Sequence, residues 1–124
     1  MGKKSSSWYK RHVSDEFVKQ ATKENWRSRA VFKLKEIDTK YDLIKKKSNI
    51  LDLGAAPGGW SQYAAKKHQD IRITAIDILK MEDIHNVNFV QMKIEDFEEN
   101  FLKNHNFDKI DLVMSDIAPN ISGI

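Results

Sequence analysis

Ile50-Leu51-Asp52-Leu53-Gly54-Ala55-Ala56-Pro57-Gly58-Gly59-Trp60 reads as a buried strand, a tight glycine turn and the first turn of a helix. Asn49 to Leu53 is apolar apart from Asn49 and Asp52, the pattern of a strand covered on both faces. Gly54 ends the strand. Gly58 and Gly59 permit positive φ and leave no Cβ in the way of a ligand. The helix that follows, predicted over roughly Trp60 to Gln69, aims its N-terminal amides and positive dipole end at whatever sits above the turn. A strand, a glycine turn and a helix in this order form the first βα unit of a nucleotide-type α/β sheet.

The spacing is G-x-x-x-G-G, not the G-x-G-x-x-G of a dinucleotide fold, so a pyrophosphate seat is disfavoured. The loop points to S-adenosylmethionine, with a nicotinamide or flavin cofactor and a purely structural turn as the other readings. Asp77 adds to the first. It follows Ile71-Arg72-Ile73-Thr74-Ala75-Ile76, a second strand by its β-branched content. An acid at that strand end, about 20 residues past a glycine loop, is placed to accept hydrogen bonds from the hydroxyls of an adenosine ribose. It could also cap a following helix, and the two roles are compatible.

The 124 residues allow one small domain or part of a larger one. With no cysteine there is no disulfide framework and no thiolate metal site, and the four histidines are scattered, so no metal is expected. No apolar run approaches membrane-spanning length. The net charge of +3 conceals a division: residues 1–50 carry 14 Lys+Arg against 6 Asp+Glu, and the remainder carries 7 against 12. A basic segment ahead of an acidic nucleotide fold suits a protein that faces a polyanion and holds a cofactor, although a solvated basic face is the plainer explanation. Trp8 and Tyr9 beside Lys10 and Arg11 could stack on bases while the cations neutralise phosphates. The opening Met1-Gly2-Lys3-Lys4-Ser5-Ser6 fits a loose myristoylation pattern, which is discounted without a second membrane signal.

Ser14 is placed as the N-cap of a first helix over Asp15 to Lys23. A second begins near Arg27, with Ala30, Leu34 and Ile37 on one face and Arg29 and Lys33 on another. Such a face can pack on a sheet and present Lys33 to a site, but most lysines of this kind are only solvated. Val87 to Met92 is a third strand, with Asp96 beyond it as either an adenine ligand or a helix cap. Glu98 to Lys103 reads as a short helix, and Ile110 to Met114 as a fourth strand ending in Ser115-Asp116. Gly54–Gly58, Asp77 and Asp116 therefore sit at the carboxyl ends of three strands, the edge at which open parallel sheets bind ligands. Pro119 stiffens the loop that carries Asp116. The sheet is expected to be cut short after strand four, as the N-terminal part of a longer domain.

Three motifs in order, Arg27-Ser28-Arg29-Ala30-x-Phe32-Lys33-Leu34, Asp52-Leu53-Gly54-Ala55-Ala56-Pro57-Gly58-Gly59-Trp60-Ser61-Gln62 and Ser115-Asp116-x-Ala118-Pro119-Asn120-x-Ser122-Gly123, resemble the FtsJ/RrmJ (RlmE) family. That resemblance implies a Rossmann-like class I methyltransferase sheet and S-adenosylmethionine-dependent 2′-O-ribose methylation of large-subunit ribosomal RNA. It further implies a Lys-Asp-Lys-Glu tetrad, with Lys33 as its first lysine and Asp116 as its aspartate. The family places the other two members beyond the end of this sequence, so the chain alone is expected to be inactive. Cofactor contacts carry over to Gly58, Trp60, Asp77 and Asp116, with Gly54, Ala55, Pro57 and Gly59 in the same turn. The family's acid after strand three falls on Lys93 without a gap, and on Asp96 only with an insertion. Lys10, Arg11, Arg27, Arg29 and Lys33 are the expected RNA contacts. Residues 1–48 then form an RNA-facing arm with helices, and 49–124 the first half of the cofactor domain. A cytoplasmic or organellar monomer without membrane attachment is expected. The alternatives are a tRNA 2′-O-ribose methyltransferase and a non-catalytic RNA-binding or ribosome-assembly module.

Overall fold

The computed structural model describes residues 16–97 and 109–117. Ser14, Lys10, Arg11, the helix expected over Glu98–Lys103 and the Pro119 loop lie outside them. Four strands, β1 (Asn49–Leu53), β2 (Arg72–Asp77), β3 (Val87–Gln91) and β4 (Leu112–Ser115), form one sheet in the order β3-β2-β1-β4. Every neighbouring pair is parallel, with Ile50 opposite both Ile73 and Leu112. The chain leaves β1 towards β2 on one side and comes back to β4 on the other, so the strand order reverses between β1 and β4, the point at whose carboxyl edge open parallel sheets commonly bind ligands.

Three helices are described: α1 over residues 16–23, α2 (Val31–Tyr41) and α3 (Gly59–Lys67). Leu34 of α2, Ile44, and Trp60 and Ala64 of α3 are buried in one core with Ile50, Ile73 and Met114, so α2 and α3 cover the same face of the sheet. Leu51 and Ile76 point to the opposite face, where Val90, Met92, Phe97 and Ile110 pack on them. This two-sided cover explains the near-continuous apolar character of β1 and β2.

The second helix differs from its expected bounds. Residues 27–30 form a turn in which the Ser28 hydroxyl accepts the Ala30 N–H at 3.0 Å, a local bond that competes with helix. The Ala30 carbonyl is taken by the Trp60 indole N–H at 2.7 Å. The helix starts only at Val31 and runs on to Tyr41, past its last large apolar side chain, because Asp38 in the final turn is buried and fully partnered. Asp42, in the left-handed region at φ 50°, stops it. The third helix ends at Lys67, two residues before the predicted limit. No helix follows β2 over residues 78–86, so the expectation that Asp77 caps one is corrected below.

Candidate active site

The glycine turn is built from backbone bonds. The amides of Gly54 and Ala55 both donate to the Ile76 carbonyl, at 2.8 and 3.0 Å, folding the end of β1 over the end of β2. Gly54 has φ +71°, and a Cβ there would collide with the Ile117 side chain just beyond β4. Gly58 has φ +110°, and a Cβ would lie 2.8 Å from Ile84 Cδ1 and 2.9 Å from Met81 Sδ. Both positions therefore require glycine. Pro57 lies exposed between them, after a cis peptide bond. Gly59 and Trp60 open α3.

Asp77 ends β2 with only 8% of its surface exposed. Its Oδ2 accepts the Ala56 N–H at 2.9 Å and its Oδ1 the Leu79 N–H at 2.8 Å. In place of a helix it caps a turn after the strand and ties the glycine turn to β2. A carboxylate offers about four acceptor positions, so two amides leave room for ligand hydroxyls. Gly54, Asp77, Ile78, Lys93, Ile94, Glu95 and Ile117 line an open cleft of about 410 Å³ at this edge. Its acid beside an exposed Ile78 provides a hydroxyl acceptor next to an apolar wall, the chemistry an adenosine needs. The residues fit that group. Asp96 is exposed at the end of the 3₁₀ turn Ile94–Asp96, and Glu95, not Asp96, lines the cleft.

Lys33 and Asp116, 83 positions apart, meet at the same edge. The lysine Nζ lies 4.0 Å from Asp116 Oδ1, with side chains 68% and 36% exposed. Both line a second cleft, of about 540 Å³, with Phe17, Ser28, Arg29, Phe32 and Glu36. Of the expected RNA ligands, Arg29 and Lys33 share this cleft. Arg27 lines a different one, and its guanidinium donates to the carbonyls of Pro57, Glu82 and Asp83. Trp60 is 8% exposed, its indole packed beneath α2, so any ligand contact there falls to its backbone.

Sequence reasoning missed Asp52. This strand acid is 1% exposed, and its Oδ2 accepts the Ser61 hydroxyl at 2.6 Å. The carboxyl also accepts the Ser61 backbone N–H, so it caps the first turn of α3 from a neighbouring strand. Burial pushes its pKa up to about 6 against the Ser61 bonds, and the nearby charges of Asp116 and Asp77 push the same way. Three acids on β1, β2 and beyond β4 thus concentrate negative charge under the turn. The polar interruption of an otherwise apolar strand was the available signal.

A parallel sheet of order 3-2-1-4, a glycine turn opening a helix, and acids at three strand ends define a Rossmann-like fold of the methyltransferase class. The sequence pattern of the FtsJ-like methyltransferases matches residues 26–124, and the chain belongs to that family. Proteins named ribosomal RNA large subunit methyltransferase E are similar over nearly its whole length. The one from Dechloromonas aromatica is 45% identical over 123 residues, covering 97% of this chain and 60% of that protein. The one from Pseudomonas fluorescens is 48% identical over 127 residues, covering 98% and 59%. A crystal structure from Plasmodium falciparum, described as a ribosomal RNA methyltransferase, superposes with a TM-score of 0.71 at 37% identity, covering 80% of this chain and 60% of that one. The chain thus spans about 60% of the length of the curated relatives it matches.

Proposed function

We propose that this chain serves the S-adenosylmethionine-dependent methylation of a ribose 2′-hydroxyl in large-subunit ribosomal RNA. The observation that carries the reading is the meeting of Lys33 with Asp116 beside the glycine turn and Asp77. When bound, S-adenosylmethionine supplies a methyl group already activated by the sulfonium charge. Asp77 would hold the ribose hydroxyls, the backbone of residues 54–60 the rest of the cofactor, and Glu95 or Asp96 the adenine side. Asp116 orients Lys33 and, with Asp52, adds negative charge beneath the turn. The Lys33 ammonium, held by Asp116, would orient a 2′-hydroxyl entering the cleft and stabilise the charge its oxygen gains as the proton passes to solvent. Most of the rate would come from this positioning. Arg29 and Lys33, with Lys10 and Arg11, would hold RNA phosphates. We take the protein to act as a monomer, in the cytoplasm or an organelle.

The test has two parts. Calorimetry with this chain should show S-adenosylmethionine binding and no binding of NAD. Full-length protein should transfer labelled methyl to a ribose of unmethylated large subunits, and Asp116→Ala should abolish transfer while the protein stays folded. Selective NAD binding, or a methyl group found only on a base, would overturn the proposal.

A further inference from the structure

Arg27 stands in the basic run that precedes α2, where a phosphate ligand would be sought, yet its side chain is committed within the fold. Nη1 donates to the Pro57 carbonyl at 3.2 Å and to the Glu82 carbonyl at 2.7 Å, and Nη2 donates to the Asp83 carbonyl at 2.7 Å. Its backbone N–H donates to Gln62 Oε1 of α3 at 2.9 Å, and Gln62 Nε2 returns a bond to the Asn25 carbonyl at 3.0 Å. One residue thus joins four segments: the α1–α2 linker, the glycine turn, α3, and the connector between β2 and β3. At Gly58 these segments come so close that an added Cβ would lie 3.4 Å from Arg27 Nη1 as well as against Met81 and Ile84.

We propose that Arg27 is a positioning residue of the cofactor site, a clamp that sets the glycine turn against the β2–β3 connector and aligns the segment leading into the Lys33 helix. The planar fork suits this task. Two nitrogens reach three carbonyls on two loops at once, which a lysine ammonium on its flexible stem cannot reproduce with the same geometry. The connector begins at Ile78, a wall of the cleft beside Asp77, and its Met81 packs on Ala55 of the turn. Releasing the clamp lets both walls of that cleft move. Carbonyls that accept from a guanidinium also compete with any phosphate for it, so Arg27 contributes little to RNA affinity.

The inference rests on the cofactor reading above, and the test separates the two. Arg27→Lys and Arg29→Ala are compared with the wild type for S-adenosylmethionine affinity, for affinity to a ribosomal RNA fragment across salt, and for amide exchange. The clamp predicts that Arg27→Lys weakens cofactor binding about tenfold or more, as misplaced ligand groups do. RNA affinity and its salt slope should stay at the wild-type value. Exchange should rise over residues 55–59 and 80–84 but not in β1 and β2. Guanidinium ion added to Arg27→Ala should restore cofactor affinity. Loss of RNA affinity with a shallower salt slope and intact cofactor binding would overturn the clamp, as would no change in either affinity. A wild type that binds no cofactor would overturn the functional reading instead, and amide exchange would still decide the clamp. If neither Arg27 variant folds, side-chain NMR of the wild type decides: the clamp requires hindered rotation of the Arg27 guanidinium relative to exposed Arg72, and free rotation overturns it.

Discussion

At the residue scale the site turns on acids that do two things at once. Asp77 braces the turn through Ala56 while keeping acceptor capacity for a ligand, and Asp52 caps α3 while lying among Asp77 and Asp116. Asp52 carries a pH signature. Its folded pKa of about 6 lies above the ordinary carboxyl value, so the folded state holds the proton more tightly. The stability this brings is fully present below about pH 4 and is lost as pH rises through about 6, to a total on the order of 2–3 kcal/mol. Asp52→Asn keeps an acceptor for Ser61 and removes the titration. In urea melts between pH 4.5 and 7.5, wild-type stability should therefore fall relative to the variant, and parallel curves would refute the assignment. A cationic cofactor above the turn favours the ionised acid, so wild-type affinity for S-adenosylmethionine should rise through the same window while that of Asp52→Asn stays flat.

At the element scale α2 and α3 are locked by one buried carboxylate. Asp38, 2% exposed, accepts the Ile44 N–H at 2.9 Å, the Tyr63 hydroxyl at 2.8 Å and the Lys67 ammonium at 2.6 Å. Burial pushes the acid up, but these donors, Lys67 foremost, outweigh it and hold its pKa below the usual range. Burial and the bond to Asp38 push the Tyr63 hydroxyl up to about 12. The sign is opposite to that of Asp52: stability from Asp38 is present above the ordinary carboxyl pKa and is lost as pH falls through the lowered one. Lys67→Met should cost about 3–5 kcal/mol in denaturant melts, because it strands a buried charge. Adding Asp38→Asn to it should recover part of that loss, and a strictly additive double variant would exclude the lock. This lock was not legible in the chain, since its bonds span 25 and 29 residues and the helix extends beyond any apolar stripe. By contrast β1, the glycine turn and β2 were readable, because strand patterning and positive φ are local properties. Asp116 was readable as a strand-end acid, but its meeting with Lys33 was supplied only by the family resemblance. Arg27 shows the limit most clearly: its composition suggests a phosphate, and only carbonyls 30 to 56 residues away show where the charge goes.

At the scale of the whole molecule the charge is divided along the chain. Residues 1–50 hold an excess of eight positive charges, from 14 against 6, whereas the rest holds an excess of five negative ones, from 7 against 12. The negative part supplies the acids beneath the turn, and the positive part supplies Arg29 and Lys33 in the neighbouring cleft. The two meet at the pair Lys33–Asp116. On the proposed function, a sulfonium methyl donor and a polyanionic acceptor would be drawn to adjacent clefts by opposite fields. Polyanion binding releases counterions, so RNA affinity should fall steeply with salt, and each lost phosphate contact should reduce the log–log slope by about 0.7 to 0.9. Arg29→Ala and Lys33→Ala should each show that reduction, whereas Arg27→Ala should keep the full slope and lose cofactor affinity instead. A binding assay on a ribosomal RNA fragment from 50 to 200 mM salt spans the useful range. Equal slopes for all three variants would mean that the phosphates are held elsewhere, and the basic segment would then be a solvated face.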